Sequence, residues 1–428
     1  MGQTLVDTAL TFYGFGWKAA LPLLKFNHRL KDGWDQRTLT GGLPAPAHLW
    51  IQAASGGEAY LAWELLKELK SPFAETLRVL VTTNTLQGYE TLCRAADDIN
   101  KYQSGLAIQP WYFPFDAPDI MNRMMIHVRP KVALILETEI WPGFLNACKK
   151  FGVHVLLVNG RMTTGSLGGY MAWPGLFRTL SPDLIMAVSE TDGRRFGTLF
   201  GRDRIQIMPN IKFDRMANAG PMARKDNPLK DLIPQDADFV VFGSIRKEEK
   251  FEIEQLAAGL MRAKPQTILA LFPRHMHHME IWQAAMEMAG LNWTLRSELT
   301  GKAKPGTVIL WDTFGELVPA YGLAKAAFVG GSLVPLGGQN FLEPLTCGVT
   351  PVTGPHWKNF AWVGREIVDS KLAIEAPDWQ ESLKLLINII ENTPARKDVA
   401  AKAKDYIRDR RGGAKSVCKQ VADFLNKV

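Results

Sequence analysis

From residue 48 onward, short apolar runs alternate with longer segments in which apolar residues recur every three or four positions. Residues 48–53, 77–82, 109–113, 131–136, 153–158 and 183–188 read as strands, with helical patterns between them. Strands and helices alternating at this spacing predict a parallel, doubly wound sheet. The alternation weakens across residues 209–234, a stretch rich in Asn, Pro and Lys, which reads as an interdomain linker. A second series follows, with strands predicted at 239–242, 267–272, 307–310, 326–329 and 349–352. One last helix, rich in Lys and Arg, is predicted over about 394–427, packing back across both domains. There is no internal repeat and no low-complexity tract. The pattern predicts an α/β protein of two Rossmann-like domains, with a ligand cleft between the carboxyl ends of their sheets.

The stretch before residue 48 has a different texture. Residues 8–24 are apolar and aromatic, but Lys18 and Pro22 interrupt them and Asp7 flanks them. A spanning helix needs roughly 20 apolar residues, so this segment is short and impure for one. No basic region precedes it, which argues against a secretory signal. Trp17, Phe26 and Trp34 interleave with Lys18, Lys25, Arg29, Lys31 and Arg37. That mixture suits a segment lying among lipid headgroups, and equally an amphipathic helix packed on its own domain or on a partner.

Composition narrows the partners. A chain of 428 residues accommodates two domains with separate cores. The net charge of +7 favours an acidic partner: a nucleotide, an anionic lipid or a nucleic acid. Zinc-ligand spacing and a basic recognition helix are both missing, which sets nucleic acid aside. Cys93, Cys148, Cys347 and Cys418 stand far apart and suggest neither a disulfide framework nor a metal knuckle, in keeping with a reducing cytosolic setting.

The stretch 328–355 carries the clearest binding signal: an apolar strand runs into a loop containing Gly330, Gly331, Gly337 and Gly338. Backbone amides there could approach a phosphate, and a helix opening at Gln339-Asn340-Phe341 would add positive potential. Glu343, one turn in, is placed to accept from ribose hydroxyls. The competing account is a turn whose glycines serve backbone shape alone.

Other candidates stand at strand ends. Ser55-Gly56-Gly57-Glu58 leads from a strand into a helix, so Glu58 is either a proton acceptor or a capping acid. Glu137 and Glu139 follow a buried strand directly, where charge is costly unless paired or bound. Lys212, at the start of the linker, could neutralise an anion or simply face solvent. Arg274, after Phe272-Pro273, offers a rigid fork of donors to a phosphate. His275 could bond a sugar or serve structure, and with His277 and His278 it lacks the carboxylate that would complete a metal set. The stretch from Asp312 to Leu317 offers a loop and helix start for a base or phosphate. No Asp-x-Asp pair follows a strand, so a leaving phosphate would be met by Lys, Arg and helix N-termini.

These stretches, taken in order, resemble the Kdo transferases, which attach 3-deoxy-D-manno-octulosonic acid (Kdo) to lipid A precursor. The matching stretches are AASGGE, TTNTLQGYE, YFPFDAPDIMNRMMIHVRPKVALILETEIWPGFL, NGRMTTGSLGGY, NIKFD, FPRH, DTFGEL and FVGGSLVPLGGQNFLEP, from about residue 50 to 360. The resemblance implies a two-domain GT-B glycosyltransferase that uses CMP-Kdo, inverts at the anomeric carbon and needs neither metal nor cofactor. It implies association with the cytoplasmic side of the bacterial inner membrane through the N-terminal segment, here peripheral or shallow. The expected divisions are a membrane-associating segment 1–40, an acceptor domain 41–215, a linker 216–234, a donor domain 235–400 and a C-terminal helix 401–428. The family's general base falls on Glu58, and its transition-state-stabilising carboxylate and lysine fall on Glu137 and Lys212. CMP contacts fall on Pro273 and Arg274, on Phe314, Gly315 and Glu316, and on Asn340, Phe341, Leu342 and Glu343. Gly57, Glu139, His275 and Ser332 are further candidates. The chain departs from the family in two motifs. Gly243-Ser244-Ile245-Arg246-Lys247-Glu248-Glu249 stands where a Ser/Thr-His-x-Gly-Glu segment is usual, and Gly337-Gly338-Gln339-Asn340 replaces Gly-Gly-His-Asn. Rival readings are a GT-B enzyme for another nucleotide sugar, such as a UDP-sugar transferase or epimerase, and a non-catalytic relative that binds lipid or nucleotide.

Overall fold

The computed structural model describes residues 3–102, 105–216 and 220–427. The chain forms two compact units, Met1–Met216 joined by Arg410–Val428, and Ala217–Asp409. The first contains β1 (Leu49–Gln52), β2 (Leu77–Thr83), β3 (Leu106–Tyr112), β4 (Val132–Leu136), β5 (His154–Gly160), β6 (Leu184–Ala187) and β7 (Ile205–Ile207). They form one parallel sheet in the order β3-β2-β1-β4-β5-β6-β7. Leu49 lies opposite Val79 on one side and Val132 on the other. Alternate residues feed two cores: Trp50, Leu80 and Ala133 pack with Phe144 on one face, and Leu49, Val79 and Leu134 with Leu61 and Val417 on the other. Helices cover both faces, so the central strands appear in the sequence as unbroken apolar runs.

The second unit repeats the plan with β8 (Phe239–Ile245), β9 (Ile268–Pro273), β10 (Trp293–Leu295), β11 (Val308–Leu310), β12 (Ala326–Val329), β13 (Pro351–Thr353) and β14 (Ile374–Glu375). The order is β10-β11-β9-β8-β12-β13-β14, again all parallel. In each sheet the strand order reverses about one central strand. That switch point lies between β1 and β4 in the first unit and between β8 and β12 in the second, where the outgoing loops diverge and leave a crevice.

Every predicted strand has a counterpart, but three strands escaped prediction. β7, β10 and β14 are sheet edges of three, three and two residues, too short to show a period. β3 begins at Leu106 rather than 109 and runs through Pro110, which an edge strand tolerates because one side needs no donor. The single C-terminal helix expected over 394–427 is two helices, Arg396–Arg408 in the second unit and Gly413–Leu425 in the first. Gly412, at φ 103°, makes the break with a left-handed backbone that other residues resist. The expected linker is also largely not a linker. Residues 217–219 lie outside the described residues, but Leu229 and Ile233 are buried in the second core beside Phe239, so most of this stretch belongs to that unit.

The N-terminal stretch forms a helix, Gln3–Leu24, which carries Pro22 in its last turn. Val6 and Leu10 join the first core, and Trp17 and Trp34 pack against Phe115 at ring-centroid distances of 5.7 and 5.2 Å. Tyr13 donates a 2.8 Å hydrogen bond to the buried Asp116. Phe12, Phe15, Leu23 and Phe26 remain exposed. One side of the segment is therefore packed on its own domain, and the other is exposed. Among the described residues no helix is long and apolar enough to cross a membrane. The side chains of Asp7 and Arg29 lie outside the described residues.

Candidate active site

At the first switch point, the loop leaving β1 enters the helix Gly56–Glu68 through Ser55, whose side chain accepts from the Glu58 amide. Gly57 in that first turn is exposed. The Glu58 carboxylate curls back to accept from the Ala54 amide at 2.6 Å and the Ser55 hydroxyl at 3.3 Å. Glu58 thus does cap its helix. It is also half-buried, and burial, reinforced by the negative charges of Glu137 and Glu139, pushes its carboxyl up to about 7. A capping acid in water would titrate far lower, so the capping contacts fail to offset the cost of burial.

The loop leaving β4 supplies those two acids. Glu137 adopts φ 57°, a left-handed conformation that is strained for a residue with a side chain. Its carboxylate accepts from Lys212 Nζ at 2.8 Å. Glu139 accepts from the Trp141 indole at 2.7 Å, and its carboxyl is raised chiefly by burial. Tyr170 donates to the Thr138 carbonyl at 3.4 Å, and the Thr138 hydroxyl donates to the Arg161 carbonyl, so the loop is fixed on both flanks.

Lys212 sits in the short helix Ile211–Arg215, inside the first unit rather than in a linker. Three polar residues hold that helix. Asn210 caps it, accepting from the Lys212 amide at 3.0 Å. Asn159, fully buried at the end of β5 and itself at φ 53°, accepts from the Ile211 amide at 2.9 Å. Asp214 accepts from the Gly412 and Ala414 amides at 2.7 Å each, tying the helix to the returning C-terminal segment. A Cβ on Gly413 would come within 2.3 Å of the Pro209 carbonyl, so only glycine permits this approach. Sequence reasoning missed Asn159 and Asp214, because their partners are distant along the chain.

The second switch point holds a surprise. The Gly330, Gly331 and Gly338 amides, expected to cradle a phosphate, are already engaged within the protein. Gly330 donates to the Gly243 carbonyl at 2.9 Å and Gly338 to the Gly331 carbonyl at 2.7 Å. Gly331 donates to Glu249 Oε1 at 2.5 Å, Ser332 to Oε2 at 3.2 Å, and Arg246 to Oε1 at 3.0 Å. Glu249 is completely buried and fills the place an anion would take; a Cβ on Gly330 would stand 2.6 Å from its Oε1. Ser332 is equally committed: buried, it donates to the Val329 carbonyl at 2.6 Å and accepts from the Gly354 amide at 2.8 Å. Glu249 was visible in the sequence only as the end of a departing motif. Its cap position holds Arg246, which does not announce a helix start.

The helix expected at Gln339 begins at Leu342 and lasts five residues, so its terminus adds little potential. Asn340 donates to Glu343 Oε1 at 2.9 Å and accepts from the Leu342 amide at 3.2 Å, leaving the pair half-exposed on one turn. Phe341 and Leu342 are fully buried, and Phe341 packs edge-on against Trp357 at 5.6 Å. They support the turn from below. Pro273 ends β9, with Arg274 and His275 exposed beyond it. Glu316 grips Arg296 through both oxygens at 3.0 Å and accepts from Trp311 at 2.8 Å and Thr313 at 2.7 Å. Burial works to raise its carboxyl, but these hydrogen bonds outweigh it and hold the group below its ordinary range. Glu316 thereby fixes the loop on which Phe314 stands 83% exposed and Gly315 turns at φ 84°.

Two parallel Rossmann-like sheets, each with polar residues gathered where its strand order reverses, make up the GT-B fold. A glycosyltransferase structure from Rickettsia africae shares the fold at a TM-score of 0.57 and 10% identity, covering 89% of this chain and 99% of that one. The family model described as 3-deoxy-D-manno-octulosonic-acid transferase (kdotransferase) matches residues 29–215. The chain is 27% identical over 388 residues to the 3-deoxy-D-manno-octulosonic acid transferase of Haemophilus influenzae, covering 90% of this chain and 88% of that one. It is 28% identical over 393 residues to the Bordetella pertussis enzyme of the same name, covering 89% of each. Over most of its length the chain is therefore similar to the Kdo transferases.

Proposed function

We propose that this protein transfers Kdo from CMP-Kdo to a hydroxyl of lipid A precursor (lipid IVA) in lipopolysaccharide core synthesis, with inversion and without a metal ion. Glu58 accepts the proton of the attacking hydroxyl as its oxygen bonds to the anomeric carbon. The bond from that carbon to the phosphate oxygen breaks, and CMP leaves with the electron pair. Lys212 offsets negative charge as it develops, and Glu137 orients Lys212 and stabilises the cationic sugar centre. In the second unit, Arg274 meets the phosphate, Phe314 with Gly315 and Glu316 frames the cytosine, and Asn340 with Glu343 receives the ribose. The exposed aromatic side of the N-terminal helix supports attachment to the cytoplasmic surface of the bacterial inner membrane, where lipid acceptors reside.

The observation that carries this reading is Glu58. A half-buried carboxyl at about 7 beside two further acids and a lysine is poised to exchange a proton near neutral pH. Mass spectrometry of reactions containing lipid IVA and CMP-Kdo tests it directly, since product mass also counts the sugars added. Glu58→Gln should lower turnover by about 10²–10⁴-fold while CMP-Kdo binding stays unchanged. Turnover in the parent protein should rise with pH through a midpoint near 7, as Glu58 loses its proton. Chelator should leave the rate unaltered. Undiminished turnover by the Gln variant, or faster transfer from a UDP-sugar, would overturn the reading.

A further inference from the structure

The filled glycine loop raises a question about charge. The proposed donor carries two anionic groups, the phosphodiester of CMP and the carboxylate of an acidic sugar, and Glu249 already occupies the backbone amides suited to one of them. Side-chain cations must therefore receive both. The ends of β8 and β9 lie side by side, Ile245 opposite Pro273, and the Arg274 amide donates to the Ile245 carbonyl at 2.9 Å. Arg246 and Arg274 consequently emerge next to one another at the switch point. Lys247 follows, and the turn after Arg274 brings His275 and His278 to a ring-centroid distance of 6.2 Å.

Among the described residues, one acid answers these cations. Glu248 accepts from Arg246 Nε at 3.2 Å and Nη2 at 3.1 Å, while Lys247 and Arg274 make no ion pair among the described residues. Burial and then the facing cations Arg246 and Arg274, with His277, push the His275 ring below its ordinary range, and Glu248 only partly opposes them. His278 is pushed the same way, with His277, Lys247 and His275 facing it and Glu248 again opposing. An uncompensated positive corner results. Among the described residues, no group of three or more His, Cys, Asp or Glu is arranged for a metal ion, so the corner suits an anion. Its preferred chemistry is displayed by Glu248, a carboxylate bound two-pronged to a guanidinium.

We propose that Arg246, Lys247, His275 and His278 form a second anion subsite beside Arg274, which takes the carboxylate of the donor sugar and selects acidic sugar nucleotides over neutral ones. This rests on the CMP-Kdo reading above. Arg246 exchanges Glu248 for the ligand carboxylate, and the two histidines hold protons more readily as the negative charge arrives.

Isothermal titration of the full-length protein with CMP and with CMP-Kdo tests the proposal. The Arg246→Gln/Lys247→Gln double variant should bind CMP-Kdo at least about tenfold more weakly than the parent, with CMP affinity within about twofold. Equal losses for both ligands, or no loss for either, would overturn the subsite while leaving the function standing. A parent protein that binds CMP but not CMP-Kdo would overturn both. Proton NMR of the parent supplies a readout independent of the variant's folding. The His275 and His278 titration midpoints should rise further with CMP-Kdo than with CMP, and equal midpoints would overturn the subsite.

Discussion

Glu58 and Glu249 invite comparison, for they are the same residue in nearly the same local setting. Each stands a few residues beyond a central strand, at the start of a helical turn, at the switch point of its own sheet. Each folds back to accept from an amide behind it, Ala54 for one and Arg246 for the other. Their surroundings then part. Glu249 collects three further amides, Gly331, Ser332 and Leu333, from a segment more than eighty residues away, and no solvent reaches it. Glu58 finds one amide and one hydroxyl, faces two other acids, and stays half-exposed. Burial raises both carboxyls, so the difference is one of access: donors on every side close Glu249 off, and Glu58, with fewer, stays half-exposed.

The sharpest way to break this contrast lies in the first unit. Lys212→Met should lower turnover by about 10²–10³-fold, because a positioned charge aimed at the reacting centre is lost. CMP affinity, measured by titration calorimetry, should not change; a parallel loss of affinity would move Lys212 from chemistry to binding. Next comes the buried partner. Glu249→Ala leaves the Arg246, Gly331 and Ser332 amides buried without an acceptor, which should cost about 3 kcal/mol in denaturant unfolding. A cost below about 0.5 kcal/mol would mean that water replaces the carboxylate and that the loop is not built around it.

The smallest effect concerns Glu58 and depends on pH. Its folded carboxyl, at about 7, lies above the ordinary 4.5. A raised group contributes fully below its unfolded value and loses that contribution as pH rises through the folded one. Wild type should therefore weaken between pH 4.5 and about 7 relative to Glu58→Gln, which has no proton to lose. The variant should gain about 1–2 kcal/mol over wild type at pH 8 and none at pH 4. A pH-independent difference between the two melting curves would show that burial does not set this titration.

Much of the architecture was legible along the chain. Central strands such as Val132–Leu136 and Ala326–Val329 are continuous apolar runs because helices cover both faces, and that demand is local enough to read directly. β7, β10 and β14 were not legible, since an edge of two or three residues needs neither an apolar run nor a period. The C-terminal break was marked only by Gly412, in a segment whose helical pattern otherwise continues. Among the candidate site residues, Glu58, Glu137, Lys212, Asn340 and Glu343 stood out by local pattern, and resemblance supplied their expected roles. Local pattern alone left Glu58 a cap and Lys212 a solvated lysine.

The sequence by itself thus determined two parallel sheets, their central strands, and which residue types stand at the strand ends, because hydrophobic period and turn chemistry act over a few residues. Tertiary structure decided what those residues do. It filled the glycine loop with Glu249, drew Lys212 onto Glu137, and gave Arg274 and Lys247 no ion pair among the described residues. Burial and the count of hydrogen-bond partners govern a charged group's behaviour, and both are set by segments far away in the chain.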